Sequence, residues 1–148
     1  MGFLRELLWS WLVATALSGL PSTLYALATG ADALEATRAA GAMLIPAGSP
    51  LPQLLVAAAI AHGAISFFWT FVLMLGLPRR RTLIWAIAAS ALIALLDLRV
   101  IAPWMFPDVA RLAFWPQFAD HLMWGACVGA TLQWRRRGAR SSAWRRPA

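Results

Sequence analysis

Lysine is absent from this chain of 148 residues, and all 13 of its basic residues are arginine. That uniformity is associated with GC-rich coding and points to a bacterial source. Cysteine is nearly absent as well. Cys127 stands alone, which excludes an intramolecular disulfide and any Cys-x-x-Cys redox or zinc site. It reads as a small packing residue within an apolar stretch. Charge of either sign is scarce, at 13% of residues. The chain also lacks a Gly-x-Ser-x-Gly elbow, a His-Glu-x-x-His run and a phosphate-cradling glycine loop, and so offers no recognisable catalytic apparatus. No internal repeat of 20–50 residues is visible.

What is abundant is apolar surface. Hydrophobic residues make up 61% of the chain and mean hydropathy is +0.66, well outside the range of soluble domains. A chain of this length accommodates about four spans of roughly 20 residues with short connections. The expected fold is therefore all-α: an integral membrane four-helix bundle with a short outer interfacial helix, and no separate soluble domain. The pI near 11.7 would suggest nucleic acid in a soluble protein. Here the arginines flank apolar runs, where anionic lipid headgroups and topology account for them, and no nucleic-acid role is expected.

Spans are expected at 7–28, 53–77, 83–102 and 117–134. Pro21 falls inside the first and predicts a kink, with Ser18, Ser22 and Thr23 placed to satisfy the backbone groups it frees. The same stretch has a second reading as a signal peptide, with a small-residue cleavage site at Ala26-Leu27-Ala28. A retained span is the expectation, because Glu6 cancels the charge of Arg5. Residues 32–45 carry Asp32 and Glu35 at capping-box spacing and stop at Pro46, predicting an interfacial helix too short and too charged to cross. With four spans, Arg38, Arg99 and Arg111 fall on one side. Arg79, Arg80 and Arg81, the basic tail 135–148 beginning Arg135, Arg136 and Arg137, and Arg5 fall on the other. This asymmetry predicts that both termini are cytoplasmic, with the listed runs of arginine against headgroups. Trp104, Trp115 and Trp134 near span ends fit aromatic belts.

Depth organises the polar residues. His62 lies nine positions into the second span, roughly 14 Å deep at 1.5 Å per residue. Asp97 and Arg99 lie near the outer end of the third span, and Asp120 and His121 about one turn inside the outer end of the fourth. His62 and Ser66 share a face, as do His121, Gly125 and Gly129, whose Gly-x-x-x-Gly spacing lets a neighbouring backbone approach. The candidate cluster is thus His62, Ser66, Asp97, Arg99, Asp120 and His121, with Pro21, Gly125 and Gly129 as helix-packing positions. Its plain reading is interspan pairing that holds the helices in register, with Arg99 free to snorkel to headgroups. Imidazole and carboxylate also suit a divalent metal, but no ligand spacing supports one. Haem between His62 and His121 would have to absorb roughly 6 Å of difference in depth. No cofactor is expected.

His62 in AHGAISFFW, and Asp120-His121-Leu122 with Gly125 in DHLMWG, carry a resemblance. Together with the arginine-rich ending, they resemble small uncharacterised four-span proteins of bacterial inner membranes, over about residues 55–137. The resemblance implies the same architecture and singles out the histidines, but implies no reaction. The expected function is non-enzymatic: an accessory or scaffolding subunit of the inner membrane, whose partners are the bilayer, anionic headgroups and another membrane protein or a second copy. The alternative is a small transporter or ligand- or metal-binding protein using the Asp/His cluster.

Overall fold

The structure is a computed structural model that describes the backbone of residues 2–143 and side chains as far as Arg135. The side chains of Arg136, Arg137 and Arg140, and all of Arg145 and Arg146, lie outside the described residues. Every regular element described is helical: α1 (Gly2–Leu17), α2 (Leu20–Thr29), α3 (Glu35–Gly41), α4 (Leu51–Gly76), α5 (Thr82–Leu96), α6 (Ala102–Met105), α7 (Pro107–Ala110) and α8 (Phe114–Ala143). A π-helical turn, Asp97–Ile101, joins α5 to α6.

Three segments are long and apolar enough to cross a membrane: Gly2–Thr29, Leu51–Gly76 and Thr82–Met105. The fourth expected span lies in α8, which is not among them, because Gln117, Asp120 and His121 dilute its apolar content. α8 also begins earlier than expected and continues past Trp134 as helix through Ala143.

Local chemistry explains the breaks. The first span is two helices rather than one kinked rod, with Gly19 between them and Pro21 in the first turn of α2. Proline suits that position because its missing N–H would be unpaired there anyway. α2 ends on Gly30, whose φ of 71° gives a left-handed cap that places its N–H on the Ala26 carbonyl. The π turn has an equally local cause. Pro103 cannot donate to the preceding turn and its ring crowds it, so the backbone widens just before it and Ala102 donates five residues back to Asp97.

The interfacial helix is shorter than expected, seven residues instead of the span 32–45. Asp32 does not form the expected capping box, since Glu35 is the first residue of α3 and not its third. Asp32 Oδ1 instead accepts the Leu34 N–H at 2.8 Å in a tight Asx turn, while Oδ2 pairs with Arg38. α3 lies directly on α4. A Cβ at Gly41 would sit 2.3 Å from the Leu54 carbonyl oxygen, so glycine sets this approach.

α8 occupies the middle of the assembly, packed most extensively on α5 and also on α1 and α2, while α4 packs on α1 and α3. Its contacts with α5 run antiparallel along the helix. His121 meets Asp97, Gly125 lies on Ser90 and Ala86, and Gly129 lies on Ala86 and Leu83. Leu7, Ala14, Leu73, Ile93, Trp124 and Val128 belong to one buried core. Large apolar side chains such as Val56, Ile60, Phe68, Ile84 and Leu92 face outward.

Candidate functional site

Two polar arrangements lie between these helices, and the expected cluster is divided between them. The first is a seam joining α1, α4 and α8. Trp11 Nε1 donates to the Gly63 carbonyl at 2.9 Å. One turn further on, the Thr15 hydroxyl meets the buried Ser66 hydroxyl at 2.7 Å, and Trp124 Nε1 donates to the same Ser66 oxygen at 2.8 Å. Ser66 is therefore the junction of three helices. Beyond it, His62 Nε2 lies 3.1 Å from Ser18 Oγ and 3.3 Å from the Thr15 carbonyl.

Asp120 extends this seam. Its Oδ1 accepts the backbone N–H of Ser22 at 2.9 Å. Gly19, the residue before α2, has no side chain to cap the helix, and Ser22 is its third residue, the usual recipient of a capping bond. Asp120 thus supplies from α8 the cap that α2 lacks, and its charge sits at the positive end of the helix dipole. Around the same break, Thr23 Oγ1 donates to the Gly19 carbonyl at 2.7 Å and Ser22 Oγ does so at 3.3 Å.

The second arrangement lies about 100° around α8 from Asp120, and it adjoins the first, since Asp120, Ser66 and Trp124 border the same small hollow as His121 and Asp97. His121 Nδ1 is 2.8 Å from the Gln117 carbonyl and Nε2 is 3.4 Å from Asp97 Oδ2. The Gln117 carbonyl can only accept, so Nδ1 carries a proton. A neutral imidazole then has none left for Nε2, so the contact with Asp97 requires one further proton, held on the ring or on the carboxyl group. Either placement leaves the pair with no net charge. A hollow of about 70 Å³ borders this pair, with Ser66, Ile93 and Trp124 among its walls.

Arg99 joins neither arrangement. It is exposed, and its guanidinium lies 4.1 Å from the centroid of the Phe114 ring, a cation–π contact. Arg79, Arg80 and Arg81 form the exposed turn between α4 and α5, where Arg81 adopts a φ of 54°. Trp11, Thr15 and Trp124 complete the seam although sequence reasoning did not select them. Trp11 and Thr15 on α1 and Ser18 just past its end recur at i, i+4, i+7, and that spacing is the signal that could have found them.

A half-open cavity of about 340 Å³ lies between α2, α3, α4 and α8. Its polar lining includes His62, Ser22, Asp120, Asp32, Glu35 and Gln117. Its volume comes from alanine, with Ala36 and Ala40 of α3 facing Ala58 and Ala59 of α4. Arg38 holds the Asp32 carboxyl below the ordinary carboxylate range, and the Leu34 N–H acts in the same direction. Among the described residues no three His, Cys, Asp or Glu side chains are grouped to hold a metal ion.

In comparison with known proteins, no family model matches the chain, and no curated protein or solved structure matches it.

Proposed function

We propose that this chain is a small, non-enzymatic multi-pass protein of the bacterial inner membrane, a four-span bundle acting as an accessory or scaffolding subunit. The observation that carries the reading is the use made of the interhelical polar groups. Ser66, Asp120, His121 and Asp97 are each engaged with a neighbouring helix, while the outward faces are apolar. Such bonding fixes helix register in lipid, where association has little hydrophobic drive. α8 counts as the fourth crossing because it lies antiparallel on α5 from Asp97 to Leu83 and covers the same thickness. Trp104, Trp115 and Trp134 are the most exposed large hydrophobic side chains described, as suits headgroup belts. The arginines of the 79–81 turn and the tail support cytoplasmic termini and contact with anionic lipid.

Single-cysteine labelling in a Cys127→Ala background tests the topology. A cysteine at Gly48 should react with an impermeant maleimide in intact spheroplasts, and one at Arg80 only after lysis. The reverse pattern would overturn the orientation. For the scaffolding role, His62→Ala and Asp120→Ala should lower stability and recovery of a fixed membrane companion from native membranes. Unchanged stability in both, with the chain purifying alone, would sink it.

The cavity favours a second reading, in which the chain binds or moves a small ligand. That reading expects solute uptake into proteoliposomes that is lost on filling the cavity with Ala59→Leu.

A further inference from the structure

We infer that the cavity between α2, α3, α4 and α8 is a binding site for a small organic ammonium ion, with Asp120 as its principal counter-charge. The inference rests on the ligand-binding reading above and names the chemistry of the ligand.

The charge of the lining decides the sign. Three carboxylates border the cavity, those of Asp32, Glu35 and Asp120, and no arginine does. Asp32 is matched by Arg38. Glu35 has no side-chain ion pair or hydrogen bond among the described residues. Asp120 spends Oδ1 on the Ser22 N–H, a neutral donor, and no arginine pairs with it; His62 and His121 are the basic side chains near it. Three carboxylates outnumber His62, the one basic side chain of the lining, so an anion would meet net like charge whereas a monovalent cation would be drawn in.

Wall chemistry separates an organic cation from a metal ion. A hard divalent cation needs several oxygen ligands converging at short range, and no such group is formed among the described residues. The walls between the carboxylates are the methyl groups of Ala26, Ala36, Ala40, Ala58 and Ala59. They suit an alkyl body carrying one charge. Tyr25 also lines the cavity, and an aromatic ring is a favourable neighbour for an alkylammonium group. The volume, about 340 Å³, lies at the small end of ligand pockets.

The source of the ammonium group is either a free amine or a lipid headgroup, since both present the same chemistry to Asp120. The two are separated by the lipid environment of the assay.

The test uses the full chain in maltoside detergent and two probes of the same shape: choline, and its neutral isostere 3,3-dimethyl-1-butanol. Isothermal titration should show saturable choline binding, with the isostere weaker by at least about tenfold. Asp120→Asn keeps an acceptor for Ser22 and removes the charge. It should leave the unfolding midpoint in place and weaken choline by a similar factor. Glu35→Gln should weaken it less, and Ala59→Leu should abolish it. In nanodiscs, loss of choline binding with phosphatidylethanolamine but not phosphatidylglycerol would assign the site to a lipid headgroup. Equal binding in both would assign it to a free amine. Equal affinity for the two probes, or no effect of Asp120→Asn, overturns the cation inference while leaving a ligand cavity. Binding of neither probe overturns the cation inference, and proteoliposome uptake that Ala59→Leu leaves unchanged overturns the ligand-binding reading itself.

Discussion

Asp120 caps a helix to which it is not attached. Its carboxylate accepts the Ser22 N–H at 2.9 Å across 98 positions of sequence, doing for α2 what a serine or aspartate at Gly19 would ordinarily do. Asp120→Ala should therefore lower stability in detergent by about 1 kcal/mol, the usual worth of a cap. Asp120→Asn should be close to neutral. Gly19→Ser has room for its side chain, because nothing lies within 4 Å of a Cβ there and φ is −79°. The ψ of 1° lies outside the extended range of a capping residue, so in the Asp120→Ala background Gly19→Ser should recover little of the loss. Chemical unfolding of the four proteins decides the matter; a neutral Asp120→Ala would refute the capping role.

The glycine face of α8 makes a steric prediction. A Cβ at Gly125 would lie 2.2 Å from Ser90 Oγ and 2.8 Å from the Ala86 carbonyl, so α5 and α8 would have to separate. Gly125→Ala should destabilise by about 1–3 kcal/mol, the range for overpacking. Adding Ser90→Gly removes the nearer contact but not the carbonyl, and should restore only part of the stability. Full restoration would mean that the backbone approach is looser than described.

The acceptor geometry around His121 predicts a proton shared between its Nε2 and Asp97 Oδ2 across 3.4 Å. Asn in place of Asp97 can donate its amide to Nε2, which allows a neutral ring protonated at Nδ1 alone. Nitrogen-15 NMR of histidine-labelled protein should therefore show Asp97→Asn moving His121 fully to that tautomer. An identical His121 spectrum in wild type and variant would rule out the shared proton.

Acid should loosen α3 before the helices it covers. Arg38 holds Asp32 below its ordinary value in the folded state, so the pair contributes above the free carboxylate pKa. That contribution disappears as pH falls through the lowered folded value. Protection factors of the α3 amides, normalised to the intrinsic exchange rate at each pH, should fall below about pH 4, the free carboxylate range, and Asp32→Asn should lower protection at neutral pH and remove the acid step. Protection factors in α3 that stay constant between neutral and acid pH would contradict the pairing.

The sequence by itself determined the helical, apolar character of the chain and the places where helices break, because these depend on neighbours within a turn or two. Pro21 and Pro103 act on their own backbone, and breaks stand beside them, whereas α3 ends at Gly41, well before the stop expected at Pro46. Even so, the effect of Pro103 upstream, a π turn beginning at Asp97, was not anticipated. Only the tertiary structure decided which polar group serves which helix. Adjacent residues on a helix point about 100° apart, so Asp120 turns to α2 while His121 turns to the π turn after α5. A pair that looks like one motif makes its hydrogen bonds to two different helical segments, although both residues border one small hollow. The same holds for the cavity. Its alanines are unremarked in a chain so apolar, and they enclose a space only because Gly41 lets α3 lie back on α4, opposite Asp120.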